Sequence, residues 1–175
     1  MAPEFGFQLD FRPLVAADLP LVHDWLGREH VSLWWGVRGS YEATVEKYLP
    51  AVEGRDPTDM YTIVTDGRDI GVIQTYLVDD YPEWADLIDA GEGAAGMDIL
   101  IGESALIGRG IGSEAIARFV AAVVFARPTT RACVADPDVR NLASLRAFEK
   151  AGFVQTSTFF DPEDGRLHAL VRRER

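Results

Sequence analysis

The chain is poor in three things: cysteine, histidine and positive charge. A lone Cys133 excludes an intrachain disulfide and a cysteine-based metal cluster. His23, His30 and His168 are scattered without the spacing of a metal site, so no metal is expected. No apolar run approaches the roughly 20 residues that span a bilayer. The opening "MAPEFGFQLDF" lacks the basic region and apolar core of a secretory signal, so a cytoplasmic protein without membrane contact is expected. Lys and Arg number 17 against 28 Asp and Glu, a formal net charge of −11. Such a field repels nucleic acid and anionic membranes and favours cationic partners. An acidic surface can also serve solubility alone, and both readings stay open at this point.

What is present suits one packed domain over residues 1–175, since 47% of the residues are hydrophobic. "FQLDFRPLV" (Phe7–Val15) alternates and predicts a strand. Asp18 predicts an N-cap for a helix carrying Leu21, Val22, Trp25 and Leu26, ending near Gly27. "HVSLWWG" reads as a loop, and a second helix covers Tyr41–Leu49, stopped by Pro50. "MYTIVTDGRDIGVIQTYLV" predicts a hairpin turning at Asp66-Gly67. The acidic insert "DDYPEWADLIDAGEGAAG" reads as a loop with room for one helical turn, and "GMDILIG" as a short buried strand. From Gly110 a helix follows, with Ile111, Ala115, Phe119, Ala122 and Val123 on one side. "RACVADP" is a strand, "NLASLRAFEKAG" a helix capped by Asn141, and "FVQTSTFF" with "LHALVRR" a closing hairpin. The order β-α-α-β-β-β-α-β-α-β-β predicts an α/β fold with a mixed sheet.

"LIGRGIGSEAI" (Leu106–Ile116) sets three glycines in five residues ahead of an apolar-periodic stretch. It is not a Walker A loop, because Gly112 is followed by Ser113 and Glu114 rather than Lys-Ser/Thr. Nor is it the dinucleotide fingerprint, which would need a glycine where Ser113 stands. What remains is a helix start at which the N–H groups of Gly108, Arg109, Gly110, Ile111, Gly112 and Ser113 can face one anion, with Arg109 able to add a charge. An ordinary glycine-rich turn is the alternative.

Thirty residues later comes "DPDVRNLASLRAFEKAGF" (Asp136–Phe153). The pair of motifs resembles the GNAT superfamily of N-acetyltransferases. That resemblance implies a mixed central β-sheet flanked by helices, with a V-shaped opening between the central strands for acetyl-CoA. It assigns the cofactor's pyrophosphate to the glycine loop, and the pantetheine arm to the backbone of Ile99, Leu100 and Ile101. Asn141, Ser144 and Phe148 would lie beside that arm, although capping alone also explains Asn141. "VHDWLGREHVSLWWG", "YLP", "IGVIQTY" and "GMDILIG" narrow the resemblance to aminoglycoside 6′-N-acetyltransferases. Siderophore lysine N-acyltransferases share much of the pattern but carry a histidine where this chain has Asp98. Two positions depart from the superfamily. Ile107 stands where Gln or Arg usually opens the glycine motif, and Phe148 where a tyrosine often protonates the leaving thiolate.

The resemblance implies direct transfer of acetyl from acetyl-CoA to an aminoglycoside amine, at the 6′ position, in a ternary complex that confers resistance. Asp98, a carboxylate in an apolar strand, is the candidate base, because burial raises a carboxyl pKa toward neutrality. A solvent-facing edge aspartate is the alternative. Asp136 is the candidate ammonium ligand and second base, or else an Asx-turn residue before Pro137. Asp79, Asp80 and Glu83, with Asp86, could add ammonium ligands or form only a solvated loop. Trp34 and Trp35 can stack on sugar rings and attract ammonium groups, with packing as the alternative for Trp35. His23 and His30 read as capping or packing residues, and His168 has no partner evident in sequence. The acceptor is then a polycationic small molecule, and the chain a monomer or homodimer. Two other readings stay open: a siderophore-lysine or other small-amine N-acyltransferase, and a non-catalytic sensor of CoA or a cation.

Overall fold

The computed structural model describes residues 8–36 and 38–175. Strand β1 (Leu9–Pro13) leads into helices α1 (Leu19–Leu26), α2 (Glu29–Trp35) and α3 (Tyr41–Val52). The hairpin of β2 (Asp59–Thr65) and β3 (Arg68–Leu77) is followed by α4 (Pro82–Ile88) and β4 (Ala94–Ile101). Then come α5 (Ile111–Phe119), β5 (Ala132–Ala135), α6 (Leu142–Lys150), and a closing hairpin of β6 (Val154–Phe160) and β7 (Leu167–Glu174). The strands form one mixed sheet in the order β1-β2-β3-β4-β5-β7-β6. All its pairings are antiparallel except β4 with β5.

The predicted hairpin turns where expected: Asp66 (φ 49°) and Gly67 (φ 72°) both adopt left-handed backbone, the geometry that matches strand twist. The first strand is also present, with Phe7 of the predicted run outside the described residues.

Because side chains alternate across a strand, the sheet carries a separate core on each face. One core joins Ile73 and Met97 to Ile111, Ala115, Phe119, Phe148 and Phe153, under α5 and α6. The other joins Val72 and Leu100 to Leu19, Val22, Trp25, Val31 and Tyr48, under α1, α2 and α3. Phe119 is edge-on to both Phe11 and Tyr61, at 5.1 and 5.3 Å between ring centroids. Trimming such a ring to alanine costs about 3–5 kcal/mol.

Several local expectations are corrected. "HVSLWWG" is not a loop: the Arg28 carbonyl accepts from the N–H groups of Val31 and Ser32, both at 2.9 Å, and starts α2. Seven residues are too few for helical periodicity to stand out. Pro50 does not stop α3, which runs two residues further, because the Glu53 N–H still reaches the Leu49 carbonyl at 2.9 Å. The acidic insert holds a 3₁₀ turn (Val78–Asp80) and α4, which starts on Pro82. After α5 the chain makes a π-helical turn, Val120–Val124. The wider turn moves the buried face onto Val120 and Val124 and leaves Ala122 exposed, against the helical spacing expected for it.

Candidate active site

Parallel pairing of β4 and β5 covers only Ala94–Ala132, Ala95–Cys133 and Gly96–Val134, while β4 stays paired with β3 along its length. Beyond Gly96 the two central strands therefore part. The Gly102 N–H donates to the Ile70 carbonyl at 2.7 Å. By alternation, Met97, Ile99 and Ile101 turn their main-chain groups away from β3, toward the gap. His30 Nε2 bonds the Ile101 carbonyl at 3.0 Å, which leaves Met97 and Ile99 as an open ladder edge. Ile99 lines the cleft formed there. Leu100 does not face the gap; its side chain is buried in the core under α1–α3.

The glycine loop lies at the end of β4. Ile107 N–H bonds the Ser104 carbonyl at 3.2 Å, and Glu114 N–H bonds the Gly110 carbonyl at 3.2 Å. Between them, the N–H groups of Gly108, Arg109, Gly110, Ile111, Gly112 and Ser113 find no acceptor among the described residues. Gly108 (φ 75°) and Gly110 (φ 84°) hold left-handed backbone that a side chain would strain. Six free donors at the mouth of a helix fit a diphosphate. Asn141 caps α6 by accepting from the Ser144 N–H at 3.1 Å, and Asn141, Ser144 and Phe148 all line the cleft.

The cleft encloses about 530 Å³. Among the described residues six carboxylates line it: Asp98, Asp136, Asp138, Asp161, Glu163 and Asp164. The cations on its wall are Lys47, Arg166 and His168. Trp34 and Trp35 form part of another wall, and Trp35 Nε1–H donates to the Tyr48 hydroxyl at 3.0 Å. Asp98 stands opposite Gln74 in the β3–β4 register, and Gln74 Nε2–H donates to its Oδ2 at 2.8 Å. Its side chain is on the α1–α3 face, two residues before buried Leu100. Burial, reinforced by the nearby Asp136 charge, pushes the Asp98 carboxyl up to about 6, against the pull of Gln74 and Lys47.

Asp136 directly follows β5, and burial raises its carboxyl too. His168 opposes that rise: its Nδ1–H donates to Asp136 Oδ2 at 3.0 Å and to the Asp136 carbonyl at 2.6 Å. His168 Nε2–H donates to Asp164 Oδ2 at 3.0 Å. Asp136 foremost, with help from Asp164, pushes the imidazole up to about 9, so it is charged at neutral pH. Asp136, Asp161 and His168 approach closely enough to share a metal ion. The imidazolium has no lone pair to give one, and both of its N–H groups are engaged. Asp138 is committed to Arg140, whose guanidinium lowers it to about 2.

The structure thus brings Asp98, Asp136, Trp34, Trp35, Ile99, Asn141, Ser144 and Phe148 to one cleft. It does not bring Asp79, Asp80 or Glu83 there; these are exposed around α4, as is Asp86, and Asp79 accepts from the Gly93 N–H at 3.4 Å. Their place as extra anions is taken by the turn of the closing hairpin. That turn, "DPEDG", carries three acidic residues, and nothing local in the sequence says which wall it meets. Arg166 at its end donates to the Leu33 carbonyl of α2 at 3.1 Å, across 133 residues of chain. His23 bonds Thr44 Oγ1 at 2.8 Å, a packing role as expected. His168, partnerless in sequence, has two carboxylate partners. The Cys133 thiol is fully buried, and burial holds its pKa far above the usual range, so it is no nucleophile.

A family model described as "Acetyltransferase (GNAT) domain" matches residues 15–160. The chain belongs to the GNAT acetyltransferase family. Members use acetyl-CoA as a co-substrate, and the free donors of Gly108–Ser113 and the open edge of β4 fit its diphosphate and its amide-bearing arm. This GNAT chain is 28% identical to the aminoglycoside N(6')-acetyltransferase type 1 of Klebsiella pneumoniae over 168 residues, 93% of this chain and 82% of that one. It is 30% identical to the lysine N-acyltransferase MbtK of Mycolicibacterium paratuberculosis over 139 residues, 77% of this chain and 60% of that one. Among solved structures it superposes on aminoglycoside acetyltransferase AAC(6')-Ib with coenzyme A at a TM-score of 0.87 and 27% identity, covering 96% and 95% of the two chains. The same enzyme with coenzyme A and kanamycin gives 0.86 and 26%, over 96% and 95% of the chains. No helix among the described residues is long and apolar enough to cross a membrane.

Proposed function

We propose that this acetyltransferase moves the acetyl group of acetyl-CoA onto the 6′ amine of an aminoglycoside, as a single domain in the cytoplasm, and so confers resistance. The observation that carries the reading is Asp98. It is a carboxylate held near neutrality at the floor of an acidic cleft, on the strand whose free edge faces the acyl donor. The ammonium of the acceptor enters from the α1–α3 side, drawn by the carboxylate walls and stacked by Trp34 and Trp35. Ionised Asp98 takes its proton, directly or through a water, and the neutral amine attacks the thioester carbonyl. The Ile99 N–H at the open edge steadies the oxygen as charge builds on it. The C–S bond then breaks. Phe148 offers no proton, so the thiolate leaves as such or is protonated by solvent or by the newly acylated nitrogen; a thiol pKa near 8.5 makes this tolerable.

The test is release of CoA thiol from acetyl-CoA with kanamycin and tobramycin, with the acetylated nitrogen located by NMR. Monoacetylation at the 6′ amine is expected. No turnover across a panel of aminoglycosides would overturn the reading. The likeness to a lysine N-acyltransferase supports a second reading, which predicts faster reaction with medium-chain acyl-CoA and a lysine-type amine than with acetyl-CoA and kanamycin.

A further inference from the structure

The carboxylates of the cleft are not equally free to bind a substrate. Asp138 is neutralised by Arg140, whereas Asp136 and Asp164 share a single cation, His168, which spans them with a hydrogen bond from each ring nitrogen. Two carboxylate oxygens about 3 Å from a planar cation form the kind of site that a substrate ammonium takes. Here the protein has filled it from its own chain. His168 is fixed in that post. Its residue bridges Asp138 across the strand edge, the following Ala169 N–H donates to the Pro137 carbonyl at 2.9 Å, and the Phe159 ring lies 5.8 Å from the imidazole. The groups facing it are Asp136 from the segment just after β5, Asp161 and Asp164 from the hairpin turn, and Phe159 from β6.

We infer that His168 is a specificity-determining residue: its own charge occupies the bridge between Asp136 and Asp164, and so limits how many ammonium groups of an acceptor the cleft can hold. Among the described residues, Asp98, Asp161 and Glu163 form no direct ion pair, with Lys47 acting on Asp98 only from a distance, which suits an acceptor of modest charge near its reacting amine. A more highly charged acceptor must displace the imidazolium or leave an ammonium unmatched. The inference rests on the proposed polyamine acceptor but is read separately from it.

The test compares wild type with His168→Gln, which removes the charge, and His168→Lys, which restores it. At pH 7, His168→Gln is expected to lower the KM for kanamycin about tenfold, the worth of one more charge-assisted contact, with the KM for acetyl-CoA kept. His168→Lys is expected to return the kanamycin KM toward wild type. A kanamycin KM that is unchanged or higher in His168→Gln, with acetyl-CoA binding intact, overturns the inference. If wild type acetylates no aminoglycoside, the function falls but the inference is still read by calorimetry with spermidine. Binding about tenfold tighter to His168→Gln supports it, and equal or weaker binding, or none to either protein, overturns it. Should the variants fail to fold, NMR of the wild-type imidazole decides. Its titration midpoint, about 9 in the free protein, must fall on saturation with spermidine, and an unmoved midpoint overturns the inference.

Discussion

A buried carboxylate is costly to the fold, and Asp98→Asn measures that cost. In the folded protein Asp98 titrates at about 6, against an ordinary value of 3.8. Between those values the folded chain holds a proton that the unfolded chain has released, so stability falls as pH rises through that window. Above about 6 the full penalty stands; below the ordinary value it vanishes. At about 1.4 kcal/mol per pKa unit the penalty comes to about 3 kcal/mol as an upper bound, since Asp136 shares the titration. Asparagine is nearly isosteric, and its Oδ1 can still accept the Gln74 bond, so the substitution removes charge and little else. For a chain of this length each kcal/mol moves Tm by about 2–4 °C. Asp98→Asn is therefore expected to melt above wild type at pH 8 by up to about 6–12 °C, with the gap closing as pH falls toward 4. Thermal unfolding followed by circular dichroism across that range is the assay. An equal or lower Tm for the variant at pH 8, or a gap that persists in acid, would refute the reasoning.

Three further outcomes are expected. Gly110→Ala forces a Cβ into left-handed backbone at a cost of about 1–2 kcal/mol; it should raise the KM for acetyl-CoA about tenfold, more than it lowers kcat, by steady-state kinetics. Gln74→Leu removes the hydrogen bond that favours ionised Asp98; the acid limb of the pH–rate profile should move to higher pH. Added salt should raise the KM for kanamycin, because the attraction of an acidic cleft is screened beyond a Debye length of about 10 Å at 0.1 M, while a neutral amine acceptor should show little change.

Much of the donor side was legible in the sequence because its signals are local. Three glycines before a helix, an asparagine cap and a carboxylate inside "GMDILIG" each act within a few residues of themselves. The acceptor side was less so, because it is assembled from distant segments. Asp136 and His168 meet across 32 residues, and Leu33 and Arg166 across 133. No periodicity reports such pairings. The acidic insert misled for the same reason: its charge density was plain, but α4 carries it away from the cleft. Ala122 leaves the buried face because of a single π-helical turn, which makes no mark in hydrophobic spacing.

The pH dependence of kcat/KM for acetyl transfer to kanamycin, wild type beside Asp98→Asn, tests the account most directly. With Asp98 as the base, the wild-type rate climbs as pH passes about 6, where the carboxyl ionises. Asp98→Asn should lose about 10²–10⁴ in rate and the acid limb with it, yet still bind acetyl-CoA. An acid limb that survives in the variant, or transfer at the wild-type rate, would contradict the account.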